Sequence, residues 1–463
     1  MGIYFFPRGG SAHVCRALAR EFERNEFELT LLSGSRSDLG EHARASSFYS
    51  GLDLRSVDFT PALRSPDRLG FQPGAGTAPM HGSYEDRPGA DDPILAAIGE
   101  VPFEIQVDAW SREMELAGAD EADLFYLHHL TPLNEAAARA FPRTPVLGHV
   151  HGTELLMLEQ IAAGAPAGWS YAAAWAERIR EWAAACERIV VSSAKGAERA
   201  AAVLELEPER FAVVPNGFDS RFAPRQVDRR AHWRRHLVER PQGWRPGSGP
   251  GSVAYERADL EPLAGTVLLY SGRFTEVKRL PLLLEAYALA RTRVSHETAL
   301  VLLGGYLGEW EGEHPIETIE RLGIPSAFLA GWHCHAELPD FLSAADLLVH
   351  ASVKEQFGQV LVEAMACGLP VVAIDRGGPA TIVEDPRTGW LVEPDDVEAL
   401  AAAMVEAVNE PEGRRLRGER ARDEAVAAYT WNQIGLDLAA LAGELVGVSL
   451  WVPGGNTGPS PRI

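Results

Sequence analysis

The sequence predicts an α/β protein of two doubly wound, parallel-sheet domains facing each other across a cleft, and three observations lead there. Short apolar runs alternate with longer helical patterns almost throughout, the signature of βαβ units. The alternation runs once up to about residue 207 and again after it. At 463 residues the chain is long enough for two full cores.

The first half reads as strands at Ile3–Phe6, Phe27–Leu32, Leu124–Leu127, Val146–Val150 and Ile189–Val191. Helices at His13–Glu23, Asn134–Ala140, Trp169–Cys186 and Lys195–Leu204 lie between or after them. In the second half strands are expected at Phe211–Val214, Val267–Tyr270, Ala299–Leu303, Phe328–Ala330, Leu347–His350, Val371–Ile374 and Trp390–Val392. Its helices are expected at Leu280–Ala290, Leu338–Ala344, Gly358–Cys367 and Val397–Val408. The domains are accordingly drawn as 1–207 and 208–429. Two Pro/Gly-rich stretches break the rhythm: 60–93 is read as a substrate-side loop and 238–265, with its "PGSGPGS", as a flexible insertion.

Composition excludes several classes. The formal net charge of −22 opposes broad nucleic-acid contact and docking on anionic lipid, both of which need clustered Lys and Arg. No apolar run reaches membrane-span length; the segment Leu436–Val452 is interrupted by Asp437 and Glu444. "MGIYFFPRGGSAHVC" lacks the basic start and apolar length of a signal peptide, and the four cysteines are widely spaced, so a reduced, cytoplasmic protein is expected. A homodimer is compatible with all of this.

Open parallel sheets bind ligands at the carboxyl ends of their strands, and four constellations fall there. In "PRGGSAH", Gly9 and Gly10 follow the first strand and open a helix; backbone N–H groups could meet an anion there, or the turn is simply tight. In "LLYSGRFTEVKRL", Arg273 and Lys278 occupy the loop after a strand, where a guanidinium and an ammonium suit a diphosphate unless they are merely solvated. In "SVKEQFGQVLVEAMACGLPVVA", Glu355 precedes the helix opened by Gly358 and Glu363 lies inside it. A fully helical span of eight residues would separate the two acids by about 12 Å, too far for a hydrolase pair, so they have separate partners, or Glu355 is only a helix cap. In "LGHVHGTELL", His149, His151 and Glu154 approach the cleft from the opposite side; a polar or neutral histidine contacting substrate hydroxyls is the preferred reading, with His149 and Glu154 on the acceptor side, and a metal set lacks a third matched ligand. "GWHCHAE" looks metal-like, but His333, Cys334 and His335 are too close in sequence to converge on one ion; no metal site is assigned.

With these pieces in order, the chain resembles the family 4 retaining glycosyltransferases, which have the GT-B fold of two Rossmann-like domains. The resemblance rests on E-x7-E (Glu355 to Glu363), "VVPNGFD", "SGRFTEVKRL", "FLAGWHCHAELPDFLSAAD" and "GWLVEPDDVEALAAAM", in that relative order along nearly the whole chain once the acids take their place. It implies that Arg273 and Lys278 hold the donor diphosphate, that Glu363 binds the nucleotide ribose and that Glu355 lies near the donor sugar. It implies donor contacts from Gly9, Gly10, Asn216, Phe357, Gly358, Gln359 and Val360, and places His151 beside the transferred sugar. A crossover helix is implied at about 430–447, returning to the first domain. The expected function is metal-independent, retaining transfer of a sugar from a nucleoside-diphosphate sugar, UDP or GDP, to a soluble small-molecule acceptor such as a sugar, cyclitol, thiol or natural product. No separate cofactor is expected. A nucleotide-sugar epimerase or a sugar phosphorylase of the same fold is the alternative. The loop "FTEVKRL" departs from the more usual proline- and glycine-bearing turn, and the two Pro/Gly-rich stretches exceed the family core.

Overall fold

A computed structural model describes residues 1–85 and 91–447. Among these residues thirteen strands form two parallel sheets, and the chain divides into two compact units, Met1–Asn216 with the stretch from Trp431, and Gly217–Thr430.

In the first unit the strands are β1 Gly2–Ile3, β2 Leu31–Ser35, β3 Leu54–Asp58, β4 Phe125–His128, β5 Val146–His149, β6 Arg188–Val191 and β7 Phe211–Val213, ordered β3-β2-β1-β4-β5-β6-β7. In the second they are β8 Thr266–Gly272, β9 Thr298–Gly304, β10 Ala327–Gly331, β11 Leu347–His350, β12 Val371–Ile374 and β13 Gly389–Val392, ordered β10-β9-β8-β11-β12-β13. Each order reverses between its first and fourth strands, β1/β4 and β8/β11, which is where doubly wound sheets open a crevice for ligands.

Burial on both faces explains the apolar strands. Val267 and Leu269 of β8 join one core while Leu268 and Tyr270 join the other; Ala299, Val301 and Leu303 of β9 alternate in the same way with Leu300 and Leu302. In the first unit Phe125 and Leu127 face one core, Leu124 and Tyr126 the other. The helix Trp431–Leu445 packs Ile434, Leu438 and Ala442 into the core beneath helix Gly10–Arg24, where Gly435 lies so close to Glu21 that an added Cβ would approach its Cβ to 2.5 Å. The remainder of the apolar segment Leu436–Val452 beyond 447 lies outside the described residues. No helix among the described residues is long and apolar enough to cross a membrane.

Several expectations need correction. Phe211–Val213 pairs with β6 in the first sheet, so the division between units falls after Asn216 and not at 207. The strand Leu54–Asp58 and the helices Glu100–Leu116, Thr153–Gly164, Pro315–Leu322 and Pro411–Ala428 were not expected. The last of these buries only Gly418, Ala421 and Ala425, a small-residue face with no apolar stripe to read. The stretch 60–93, of which 86–90 lie outside the described residues, is built into the first core: Ala78, Met80 and Tyr84 are buried, and Gln106 Nε2 donates to Met80 O at 3.2 Å. The stretch 238–265 is no loose insertion either. Trp244 is buried and donates Nε1–H to Gly305 O at 3.0 Å, the Leu329 amide donates to the Tyr255 hydroxyl at 2.7 Å, and Arg257–Ala264 forms a 3₁₀ helix.

Gly418 tests the packing of helix Pro411–Ala428. A Cβ there would lie 2.3 Å from Gly368 O, so Gly418→Ala should destabilise by about 1–3 kcal/mol despite alanine's better helix propensity. Urea unfolding of the variant at or above wild-type stability would contradict this packing.

Candidate active site

In the second unit the loops after β8 and β11 are brought side by side because those strands are neighbours. The Val353 amide and the Ser352 hydroxyl both donate to Val277 O, at 3.0 and 3.2 Å, and stitch the two loops together. Lys278, ending a 3₁₀ turn at Glu276–Lys278, thereby reaches Glu355: its Nζ donates to Glu355 Oε2. Buried His350, the last residue of β11, approaches the same oxygen with Nε2 at 3.4 Å. Burial pushes the Glu355 carboxyl up, but the Lys278 charge and the His350 hydrogen bond outweigh it and hold the group well below the usual carboxylate range. Burial lowers the His350 pKa, which favours the neutral ring.

Glu355 is not a cap, since helix Gln359–Ala366 has no side-chain cap hydrogen bond. Its cap, Gly358, has φ 102°, and a Cβ there would also meet Leu361 at 2.8 Å, so glycine is required. Behind the acid, the Gly378 amide donates to Glu355 O at 2.9 Å, and a Cβ on Gly378 would fall 2.1 Å from Phe357 O. Glu363 is buried one turn into the helix and has different partners: its Oε1 lies 2.7 Å from His335 Nε2 and 3.5 Å from Gln359 Nε2, which also donates to Gly217 O at 2.6 Å. Val360 packs on the second core, Phe357 stacks edge-on with Tyr429, and Arg273 is exposed just past the end of β8, its carbonyl accepting from the Tyr270 hydroxyl at 2.7 Å.

In the first unit Gly9, with φ 73°, precedes helix Gly10–Arg24, and a Cβ on either Gly9 or Gly10 would meet nothing within 4 Å. No packing in this unit therefore calls for glycine at position 10. The ends of β4 and β5 place four histidines together. His128 Nδ1 and His151 Nε2 are 2.9 Å apart, His149 Nδ1 and the Tyr126 hydroxyl 2.6 Å, and the His149 and His151 rings stack at 4.2 Å. Burial drives His128, His149 and His151 well below the ordinary imidazole pKa, with mutual repulsion adding to it, so all three are neutral. His129 holds a left-handed φ of 66° and places Nδ1 3.2 Å from Glu154 Oε1. Burial would raise Glu154, but His129 and the His151 amide keep its carboxyl low. One nitrogen from each of His128, His149 and His151 lies within 4.8 Å of the others, spacing that would also admit a metal ion, and His128 Nε2 is buried without a hydrogen-bond partner.

Two family models match the chain in succession: Glycosyltransferase Family 4 over residues 93–222 and Glycosyl transferases group 1 over residues 255–424. The chain belongs to the family 4 glycosyltransferases. The D-inositol 3-phosphate glycosyltransferase of Salinispora tropica is 32% identical over 250 residues, 52% of this chain and 48% of that protein. The match thus spans about half the length of that relative. The N-acetyl-alpha-D-glucosaminyl L-malate synthase of Bacillus anthracis is 30% identical over 175 residues, 36% of this chain and 42% of that one. Among solved structures, HepE of Anabaena in complex with UDP and glucose superposes with a TM-score of 0.65 at 17% identity, over 96% of this chain and 99% of that one. Sucrose-phosphate synthase of Thermosynechococcus elongatus gives 0.64 at 18%, over 95% and 94%. At such identities the likeness concerns the fold, which is GT-B.

Within this chain the second unit gathers Lys278, Glu355, Phe357, Gly358, Gln359, Val360 and Glu363 at the ends of β8 and β11, with Arg273 on the same edge. Gly9, Gly10, His149, His151 and Glu154 sit at strand ends of the first unit, and half-buried Asn216 is its last residue before the chain passes to the second. His149 and Glu154, expected on the acceptor side, are instead buried: Tyr126 takes up His149, while His129, Thr153 and the His151 amide take up Glu154, so both position the histidine cluster. His128, His129 and His350 were missed, and His335 was weighed only as a metal ligand. "LHHL" and "LLVH" each end an apolar strand on histidine at a switch point, which was the available signal.

The charge pair has a measurable pH signature. Because the folded pKa of Glu355 is depressed, its pairing stabilises the protein above the unfolded carboxylate value of about 4.3, and that contribution fades as pH falls toward the folded value. Lys278→Met should therefore cost about 2 kcal/mol at pH 7, between an exposed and a buried pair, and progressively less below pH about 4.3. A stability difference that stays flat or grows on acidification would refute the pairing.

Proposed function

We propose that this glycosyltransferase is a retaining enzyme that moves a sugar from a nucleoside-diphosphate sugar, with UDP or GDP as the nucleotide, to a soluble small-molecule acceptor without a metal ion. The observation that carries the reading is the division of labour on one sheet edge: Glu355 is held by Lys278 and Glu363 by His335, each on its own set of partners. An ammonium has three N–H donors, so Lys278 can keep Glu355 and still donate to a diphosphate, with Arg273 offering a fork to the other phosphate. The N-terminus of helix Gln359–Ala366 adds amide dipoles to the same end.

Glu363 is proposed to accept from the ribose hydroxyls in place of, or beside, His335. Glu355, held ionised, is proposed to stabilise positive charge developing on the transferred sugar. The departing phosphate itself would take the acceptor proton on the face it leaves, so configuration is retained without a protein nucleophile; the protein's share is positioning and charge stabilisation. Neutral His151, held by His128, suits a hydrogen bond to a sugar hydroxyl. A soluble acceptor is favoured by the net charge of −22 and by the acceptors named for the relatives, inositol 3-phosphate and L-malate. Because residues 78–84 are woven into the first core, shortening the 60–93 stretch would unfold the unit, and a panel of acceptors is the cleaner probe. Nucleoside diphosphate released only when an acceptor is present separates transfer from epimerisation; turnover driven by inorganic phosphate would instead indicate a phosphorylase.

Arg273→Ala and Lys278→Ala should each lower kcat/KM by about 10²-fold, the scale of losing one donor to a developing anion, and wild-type kinetics in either would overturn the assignment. The two acids should separate by calorimetry and rates. Glu363→Ala should weaken binding of the bare nucleoside diphosphate, whereas Glu355→Gln should bind it nearly as wild type and turn over far more slowly. Lost affinity with surviving kcat in Glu355→Gln would show the roles are misassigned. With two cations and a helix terminus on the diphosphate, turnover should be indifferent to added Mg²⁺ or Mn²⁺; dependence on either ion would count against this electrostatic scheme.

A further inference from the structure

The motif "GWHCHAE" is not absorbed by the donor chemistry as a whole. Its histidines diverge: His335 turns to Glu363, while His333 joins a separate cluster. That cluster is completed by the segment between the two family matches, residues 223–254, where helix Arg229–Arg234 runs into a π-helical turn, Arg235–Glu239. A π turn inserts a residue into the helical ladder and is commonly retained where a side chain must be re-aimed. Here the turn carries His236, whose ring lies 4.6 Å from that of His232 and 4.8 Å from that of His333. All three rings surround Phe341, each 4.6 Å from it. Beside them is a cavity of about 390 Å³ lined in part by His232, His236, Glu337 and Asp340.

Three histidines gathered around one aromatic ring are poorly explained as packing. His232 Nε2 and His333 Nε2 are buried without a hydrogen-bond partner, and unmet polar atoms in such a place are costly. One ligand atom from each of His236, His333 and Glu337 lies within 4.8 Å of the others. His333 Nδ1 and Glu337 Oε2 are 3.4 Å apart, long for a hydrogen bond. Metal bonds of about 2.0–2.1 Å at tetrahedral angles place two ligand atoms roughly 3.3 Å from each other. Two imidazoles and one carboxylate suit a borderline ion, whereas Mg²⁺ and Ca²⁺ prefer all-oxygen shells.

We propose that His236, His333 and Glu337 bind a divalent transition-metal ion of the zinc type, which clamps the 223–254 segment onto the loop after β10. The site is distinct in its residues from those assigned to the donor, and its role is structural. The test is zinc titration of the full chain against a chromophoric chelator, with thermal melting in parallel. Wild type should bind zinc at this site and melt higher with it, since a ligand bound only by the folded state stabilises that state. His236→Ala and, separately, the near-isosteric Glu337→Gln should each weaken that binding by at least about 100-fold. Should His236→Ala fail to fold, Glu337→Gln alone decides. Absence of zinc binding by wild type, or zinc binding unchanged in folded His236→Ala or in Glu337→Gln, overturns the proposal; the second result would point to the histidines at the ends of β4 and β5 instead.

Discussion

The pairing of Lys278 with Glu355 is the constraint around which the second unit's ligand edge is organised. A half-buried carboxylate is unfavourable unless an opposite charge and hydrogen bonds offset the lost hydration. The fold supplies both through topology: β8 and β11 are adjacent only because the strand order reverses between them, and their following loops are forced into contact. The shared acceptor Val277 O, bonded from Ser352 and Val353, fixes the spacing of those loops to within a hydrogen bond. Gly377 and Gly378 then let a third loop press against the backbone of residues 355–357, where any Cβ would collide. The acid is therefore immobilised from three sides, and a charge held in place costs little reorganisation when a substrate's charge changes.

The first unit solves a different problem at the equivalent place. Four imidazoles at the ends of β4 and β5 would repel one another if protonated, and burial removes the difficulty by keeping His128, His149 and His151 neutral. Neutral rings can stack and exchange single hydrogen bonds, as the His128–His151 and Tyr126–His149 contacts do. His129 is held in a left-handed backbone that a histidine adopts at a cost on the order of 1 kcal/mol, and its contact with buried Glu154 is what retains it. Glu154 in turn accepts from the His151 amide, so the strained residue and the ring beside it are set by one carboxylate.

How much of this could be read from the sequence depends on how each feature is encoded. Strands such as Leu347–His350 and Val371–Ile374 and helices such as Leu280–Ala290 and Leu338–Ala344 were legible to the residue, because burial on both sheet faces writes continuous apolar runs and amphipathic helices write periodic ones. Helix Pro411–Ala428 was not, because it packs through Gly418, Ala421 and Ala425 and its remaining surface is charged. The edge strand Leu54–Asp58 buries only Val57 among its five residues and so shows no pattern. In the site, Arg273, Lys278, Glu355 and Glu363 stood out as charges among apolar residues or at strand ends. Their histidine partners did not, since partnership is a long-range fact: His350 meets Glu355 across a loop, and His335 reaches Glu363 from another strand's end.

The Pro/Gly-rich stretches show why composition misleads about order. Proline and glycine limit regular structure, but they do not prevent burial when an aromatic residue supplies an anchor. Trp244 and Tyr255 each bury a large ring and satisfy or are satisfied by a backbone group, Gly305 O and the Leu329 amide. Losing one such anchor would cost about 3–5 kcal/mol, enough to order a short segment around it. The glycines then serve the turns between anchors, Gly247 and Gly251 taking φ of 76° and 80° where other residues would be strained. A segment of this kind is extra to the family's matched regions yet rigid, so the side chains it carries, His236 among them, are presented in fixed positions to the unit they pack on. Rigid presentation of otherwise unneeded histidines is the physical precondition for a binding site, and a loose insertion could not meet it.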